Sequence, residues 1–566
     1  MFLPTTKQEL NRLGWDRPDV IIVSGDSYID SPYIGAAVIG RVLMNAGFRV
    51  GIIGQPDVNT DIDIKRLGEP RLFWGITAGS VDSMVANYTA SKKRRKTDDY
   101  TPGAINNRRP DRAVIVYANL IKRFFKGGRP IVLGGIEASL RRICHYDYWS
   151  NRIRRSILFD AKADILIYGM GEKAVVNLAE HLDKGRDYRH IRGLSYISRE
   201  KKHGYVELPS YDAVLKSSGK FIESFHLFYR NNDPATAKGL IQQQDSRYMI
   251  QNPPSLLMSE QELDEIFALG FQREQHPYYR KQGNVRALDT IKFSILTHRG
   301  CYGECNFCSI AVHEGRTVQG RSRKSIIKEV ANVSALSDFK GYILDVGGPT
   351  ANMYGFECKK KMRHGSCEDR RCLYPEVCPK LRPDHSRLID LLNGIGKTRG
   401  IKKVFVASGI RYDLLFKDKD YGGKYLKNIV SNHVSGQMKV APEHTREKIL
   451  ALMGKSGTDD LLAFKAKFDM ISRDLSKKQF LTYYMIAAHP GCSMDDMKQL
   501  KRFFRERLKM NPEQVQIFTP TPSTYSTLMY YTGLDPFTGE KIFVEKNIPA
   551  KEKQKAVVTQ KRKKPL

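Results

Sequence analysis

No apolar run in this 566-residue chain approaches the ~20 residues a helix needs to cross a bilayer; those at 113–118 and 483–488 are far too short. The first residues, MFLPTTKQELNRLGW, lack a basic segment followed by an apolar one, so they do not read as a secretion signal. Cysteine is scarce and odd in number: the nine residues are mostly clustered, which argues against a disulfide framework and for a cytoplasmic, metal-binding protein. No Gly-x-Gly-x-x-Gly follows the first strand-like run, which counts against NAD binding. Acidic residues are also in deficit. Asp and Glu total 61 against 93 Lys and Arg, a net charge of +32. A field of that size attracts polyanions such as RNA, DNA or an anionic membrane surface. Its basic runs, at 92–96, 108–112, 152–155 and 359–361, are spread along the chain. The basic tail at 541–566 carries too little apolar surface to offset ordering entropy and is expected to be disordered.

What is present is a regular alternation. Short β-branched runs at 19–26, 49–54, 71–77, 113–117, 130–135 and 163–169 end in small residues, and a helical pattern spans 35–47. That alternation predicts an α/β domain over residues 1–192 with a doubly wound sheet. Residues 193–286 are less periodic and read as a bridge holding one small hairpin, from 194–197 and 205–208. From 287 to 540, strand-like runs at 291–297, 341–348, 403–407, 437–440, 480–486 and 514–518 alternate with helical stretches. Six such units predict a parallel β/α barrel, complete or partial, with its active residues at the strand carboxyl ends.

The first of those strands runs into Cys301-Tyr302-Gly303-Glu304-Cys305-Asn306-Phe307-Cys308. Thiolates this close are metal ligands, redox groups or disulfide partners. A structural zinc wants four ligands, usually in two separated pairs, whereas iron–sulfur clusters are held by cysteine runs with short gaps. Three ligands on a cubane leave one iron open to substrate. The stretch resembles the radical S-adenosylmethionine (SAM) enzymes, including the aromatic Phe307 before the third Cys. The resemblance implies that Cys301, Cys305 and Cys308 hold a 4Fe-4S cluster. The reduced cluster would cleave SAM to methionine and a 5′-deoxyadenosyl radical, with electrons from a donor such as flavodoxin or ferredoxin.

Later strand ends extend the resemblance. Gly347-Gly348-Pro349 is similar to the Gly-Gly-Glu motif whose backbone meets the SAM amino group, with Pro349 in place of the Glu. The resemblance implies that Arg411 and Glu443 face the SAM carboxylate and ribose. In the first domain, Asp30-Ser31-Pro32-Tyr33-Ile34-Gly35 is similar to the Asp-x-His-x-x-Gly loop of cobalamin-binding domains, with Pro where that loop has its cobalt-ligating His. A cobalamin-domain-like fold is therefore expected, and bound cobalamin is not. The whole arrangement resembles the YgiQ-type radical SAM proteins. An insertion at 355–383 adds Cys358, Cys367, Cys372 and Cys378, enough for a second metal site that the spacing leaves open between zinc and iron–sulfur. Cys144 and Cys492 stand alone and read as structural. The expected function is radical SAM chemistry on a nucleic-acid substrate. The same residues leave room for a small-molecule or protein substrate, or for a non-catalytic iron–sulfur or zinc protein that binds nucleic acid.

Overall fold

A computed structural model describes residues 1–559. The chain forms two compact units, the first of residues 1–258 and 262–292, the second of 259–261 and 293 onward. In the first, a parallel sheet is built from β1 (Val20–Ser24), β2 (Val50–Gly54), β3 (Phe73–Thr77), β4 (Ile131–Gly134) and β5 (Ile165–Ile167). Val20 sits in register with Val50 on one side and Phe73 on the other. β1 and β2 are buried at every position, as expected of parallel strands covered on both faces.

Residues 193–286, apart from 259–261, lie in this first unit. They add β6 (Leu194–Ser198), β7 (Val206–Leu208), β8 (Leu240–Gln244) and β9 (Arg247–Gln251), giving a nine-stranded sheet in the order β7-β8-β9-β6-β5-β4-β3-β1-β2. β6 and β7 do not form the expected hairpin. β6 pairs with β5 and β9, while β7 pairs with β8. Residues 113–117 also differ from the strand expected there, because they open the helix Ala113–Phe124. Its buried positions, Ala113, Val114, Tyr117, Ala118, Leu120 and Ile121, follow helical spacing. The run continues past the β-branched cluster long enough for that period to win.

The loops after β1 and β3 are tied by buried charge. Arg109 is fully buried and lies 2.8 Å from Asp26 and 3.0 Å from Asp98, and its other nitrogen donates to Ala78 O. At the opposite end of β1, Asp19 accepts from Arg49 at 2.9 Å and from Arg71 at 2.6 Å. Burial opposes ionisation of Asp19, but these hydrogen bonds outweigh it and hold the carboxyl down at about 2. A depressed carboxylate contributes stability that is present above its unfolded value and lost as pH falls through its folded one. Asp19→Asn is therefore expected to lower stability near pH 7 by about 1 kcal/mol, water screening the two half-exposed arginines. In urea titrations the gap should close as pH drops from 4 towards 2; a pH-independent gap would rule this out.

The second unit runs β10 (Ser294–Leu296), β11 (Asp345–Gly347), β12 (Lys403–Val404), β13 (Gln437–Glu443), β14 (Phe480–Ala487) and β15 (Gln514–Ile517). Every ladder among them is parallel: β10 with β11, β13 with β14 and β14 with β15, while Tyr342–Ile343, just before β11, pairs with β12. Helices Arg323–Ser334, Ser386–Gly396, Gly422–Asn432, Asp459–Asp474 and Met494–Phe503 alternate with the strands and share one apolar core with them. Among the described residues no ladder joins β15 to β10. The barrel is partial.

The tail differs from expectation as well. Residues Ile548–Thr559 form a helix whose Val558 is fully buried. Lys551 is buried too, its ammonium donating to Tyr530 Oη at 2.8 Å and lying 4.6 Å from that ring's centre. A partner for the ammonium and a slot for one valine order a segment whose composition alone argues for disorder. Residues 560–566 of the expected tail lie outside the described residues.

Candidate active site

β10 delivers the chain to the cysteine loop at its carboxyl end. Gly300 turns there with φ +81°, and a Cβ on it would collide with Thr317 O. Backbone N–H groups of Gly300 and Cys301 donate to Glu314 Oε2 (3.0 Å) and Gly315 O (3.2 Å). Asn306 fastens the loop from the other side. Its N–H donates to Met453 O at 2.8 Å, its amide donates to Leu452 O at 2.9 Å, and its carbonyl accepts from Ser526 N at 2.9 Å. Arg371, from the cysteine-rich insertion, donates to Asn306 Oδ1 at 2.8 Å and Glu304 O at 3.1 Å. The insertion therefore reaches the loop directly.

Cys301 and Cys305 converge. A Cβ built on Gly303 would lie 3.3 Å from Cys301 Sγ, 3.5 Å from Cys305 Sγ and 3.7 Å from Arg411 Nη1. Gly303 N–H points at Cys301 Sγ at 3.3 Å, Thr350 Oγ1 lies 3.8 Å from the same sulfur, and Arg411 Nη1 lies 3.9 Å from Cys305 Sγ. Burial pushes the Cys301 and Cys308 thiols up, and the neighbouring Cys305 adds to both shifts. All three sulfurs are free. Among the described residues no three Cys, His, Asp or Glu side chains gather closely enough to share one metal ion. A cubane makes no such demand, because it offers a separate iron to each thiolate. With N–H and guanidinium donors beside them to offset cluster charge, these thiols fit a 4Fe-4S group.

Arg411, expected to meet the SAM carboxylate, is already engaged. Nε donates to Asp413 Oδ1 at 2.9 Å, and Nη2 donates to Asp413 Oδ2. Nη1 remains towards the thiols. Burial alone would lower the Arg411 pKa, but Asp413 and Cys305 raise it above its ordinary value. Its backbone is held by a residue the sequence did not mark. Asn352 Oδ1 accepts from Arg411 N at 2.8 Å, and Asn352 Nδ2 donates to Arg411 O at 2.9 Å. Asn352 Nδ2 also lies 3.2 Å from His385 Nε2, while His385 Nδ1 lies 2.7 Å from Asp418 Oδ2. Only one tautomer satisfies both contacts, with the proton on Nδ1 and an acceptor lone pair on Nε2. His385 is therefore committed to Asp418 and Asn352. Asn352→Ala would leave three buried polar groups unpaired and is expected to destabilise the second unit by about 2 kcal/mol or more. The isosteric Asn352→Asp, which removes the donor and keeps the acceptor, should cost nearly as much. Urea unfolding measures both, and a loss under about 0.5 kcal/mol would contradict the pairing.

The remaining expected residues sit on neighbouring strand ends. Gly347 ends β11. A Cβ on Gly348 would lie 2.6 Å from His298 Nε2, so the glycine makes room for that ring. His298 is buried, which lowers its pKa to about 4. Its Nε2 has no hydrogen-bond partner among the described residues. Glu443 closes β13 in a left-handed conformation, φ +70°, after a register shift from Val440. A non-glycine residue held there stores strain, and such positions cluster at functional sites. Burial pushes the Glu443 carboxyl up to about 7 against the pull of Lys455, 4.0 Å away, and of Arg411. Phe307 meets His489 edge-on at 6.4 Å, and His489 in turn meets Phe518 at 5.2 Å.

The second cysteine group is split. Cys358, Cys372 and Cys378 share an apolar cluster with Tyr302, Leu373 and Leu381, whereas Cys367 lies beside Lys360, 3.5 Å from its Nζ. Burial pushes the Cys372 thiol up to about 12 in spite of Lys361, whose Nζ is 3.9 Å from the sulfur. Of the isolated cysteines, Cys144 and Cys492 are both buried.

Comparison with known proteins places this arrangement. The family "Radical SAM N-terminal" matches residues 2–294. UPF0313 protein FN0734 of Fusobacterium nucleatum is 59% identical over 99% of both chains, and a UPF0313 protein of Thermotoga petrophila is 50% identical over 100% of this chain and 99% of its own. Among solved structures, the radical SAM methyltransferase TsrM from Kitasatospora setae, with cobalamin and a [4Fe-4S] cluster bound, is 15% identical with a TM-score of 0.49. The match covers 90% of this chain and 76% of TsrM. The cobalamin-dependent radical SAM enzyme OxsB, with aqua-cobalamin bound, is 13% identical with a TM-score of 0.49, over 93% of this chain and 57% of its own. The sequence does not lead one to expect bound cobalamin, and that expectation is corrected: both of these similar structures hold it. Pro32 removes a lower axial ligand to cobalt, but a corrin has many other contacts that do not pass through that side chain. With the α/β sheet, the partial parallel barrel and the thiol triplet at its first strand end, the chain belongs to the UPF0313 family and is a radical SAM enzyme.

Proposed function

We propose that the enzyme splits SAM at a 4Fe-4S cluster held by Cys301, Cys305 and Cys308, and turns the resulting radical chemistry on a nucleic-acid substrate. The observation that carries the first half is the convergence of Cys301 and Cys305 around Gly303, with Arg411 Nη1 beside them. When bound and reduced, the cluster supplies the single electron that SAM cleavage needs, and a small redox protein such as flavodoxin or ferredoxin is its source. The chain's own residues bind and orient. Thr350 and the Gly303 N–H steady the Cys301 sulfur, and Phe307 with His489 gives the loop an aromatic wall. Gly347 and Gly348 offer backbone to the SAM amino group, and Glu443 offers an acceptor to ribose hydroxyls. Arg411 reaches the thiols with the one nitrogen that Asp413 leaves free.

The net charge of +32 supports the substrate half. A single-stranded oligonucleotide should bind with an affinity that falls steeply as salt rises. Absence of salt-sensitive binding near physiological ionic strength would remove nucleic acid as the substrate. Anaerobic reconstitution followed by dithionite and SAM should yield 5′-deoxyadenosine and methionine, and neither product from an intact cluster would sink the cleavage reading. Cys358, Cys372, Cys378 and Cys367 are assigned a second metal centre, supported by the apolar cluster that three of them share with Tyr302. It is not preformed for a single ion. Metal analysis should find iron beyond one cubane per chain, or zinc, lost in Cys372→Ala; a single cubane's iron and no zinc would end this assignment. Among the described residues no helix is long and apolar enough to cross a membrane.

A further inference from the structure

A cleft of about 710 Å³ opens on the first unit, where β5 begins and β6 ends. Five cations line it, Lys162, Arg186, Arg189, Arg199 and Arg247, against two carboxylates, Asp164 and Asp187. Both acids are already engaged. Asp187 pairs with Arg189 at 2.9 Å, and Asp164 accepts from Ile131 N at 2.8 Å. Among the described residues the side chains of Lys162, Arg186 and Arg199 have neither a hydrogen-bond nor an ion-pair partner. Like charges gathered around a concave space repel one another, and such a space focuses the field on an incoming anion. Of the three rings in the lining, Phe159 and Tyr196 are buried and Tyr188 is partly exposed. The Arg247 guanidinium lies 5.0 Å from the centre of Phe159, so that ring already carries a planar cation on its face.

The basic loop at 92–96 is the rival surface, and it is more committed. Lys92 donates to Trp149 O, Arg94 pairs with Asp111 at 3.6 Å, and Arg95 donates to Val85 O and Tyr88 O. Cations beside ring faces in a groove are the combination that holds a nucleic-acid strand, the cations on phosphate and the rings on bases. The volume lies within the range of sites that bury a small ligand. We propose that this cleft binds a nucleotide unit, phosphate to Lys162, Arg186 and Arg199 and base against Tyr188, within a single strand or free. The proposal rests on the nucleic-acid reading above and gives it a location.

The test uses the full chain, a short fluorescent single-stranded oligoribonucleotide, and adenosine 5′-monophosphate as the free nucleotide. Arg186→Glu with Arg199→Glu, both exposed and therefore safe for folding, should weaken oligonucleotide binding roughly tenfold or more. The slope of log K against log salt should drop by about 1.4, the value for two phosphate contacts to a single strand. Lys419→Glu with Lys427→Glu, exposed in the second unit, makes the same charge change and should leave both nearly unchanged. If the monophosphate binds the parent and not the cleft variant, a free nucleotide is also accepted there. Equal weakening by both double variants, or none by the cleft pair, overturns the proposal. No binding by the parent would instead overturn the nucleic-acid reading itself.

Discussion

Alanine at Cys305 is expected to abolish SAM cleavage while leaving the protein folded. Three thiolates hold three of a cubane's four irons, so losing one leaves the cluster with two protein ligands. Among the described residues the hydrogen-bond partner of Cys305 Sγ is Arg411 Nη1 at 3.9 Å, and the side chain is partly exposed, so its removal breaks no buried network. Iron and sulfide per chain after anaerobic reconstitution should fall by the cluster's share, and 5′-deoxyadenosine should drop below detection. Thermal unfolding should move by no more than about 1 kcal/mol equivalent, the ordinary effect of a change away from core or network. Cys372→Ala provides the contrast. It should keep a substantial part of the cleavage: Cys372 and Cys301 both pack against the Tyr302 cluster, but the sulfurs that converge at Gly303 are those of Cys301 and Cys305. Equal loss in both variants would mean one shared centre; undiminished product from Cys305→Ala would remove the triplet from the chemistry.

The largest expected effect on stability lies in the first unit, at Arg109. This fully buried guanidinium stands between Asp26 and Asp98. Burial already pushes the Asp26 carboxyl upward in spite of Arg109. Taking the cation away leaves two buried carboxylates without a counter-charge, and breaking a buried pair from one side costs about 3–5 kcal/mol. Arg109→Met keeps much of the volume and should still lose that amount, which separates charge from packing. Adding Asp26→Asn and Asp98→Asn to Arg109→Met should recover much of the loss, since neutral amides tolerate burial far better than carboxylates. Urea unfolding of the single and triple variants decides it. A single variant within about 1 kcal/mol of the parent would show that water reaches these acids.

Strands such as β1 and β2 were legible because a short run rich in β-branched residues and ending in a small one leaves few alternatives. Residues 113–117 misled for a local reason. Val114, Ile115 and Val116 read alike as strand or buried helix, and only the spacing through Ile121 separates them. The basic tail misled because composition cannot see Tyr530 waiting for the Lys551 ammonium. At the site, cysteine spacing singled out the loop at the end of β10 as a candidate, since ligand chemistry is written in residue type. Asn352 and His385 were invisible as a pair. An amide in a short turn and a histidine 33 positions later carry no shared pattern, and they meet only because β11 and the helix Ser386–Gly396 bring their ends together.

The cysteine loop is made early in synthesis and secured late. Asn306 is fastened by Met453 and Ser526, and β14 is capped where Gln554 Oε1 accepts from Ala488 N at 3.0 Å. A ribosome reaches Gln554 about 250 residues after Cys308, which at cellular elongation rates is roughly 10–50 s. Through that interval the three thiols belong to a half-built barrel, open to oxidants and to stray metal ions. The nearly contiguous first unit, 1–258 with 262–292, has by then left the ribosome and can have folded. The loop that would hold the cluster is thus complete only in the finished chain, and translation is an interval in which its thiols lack that cover.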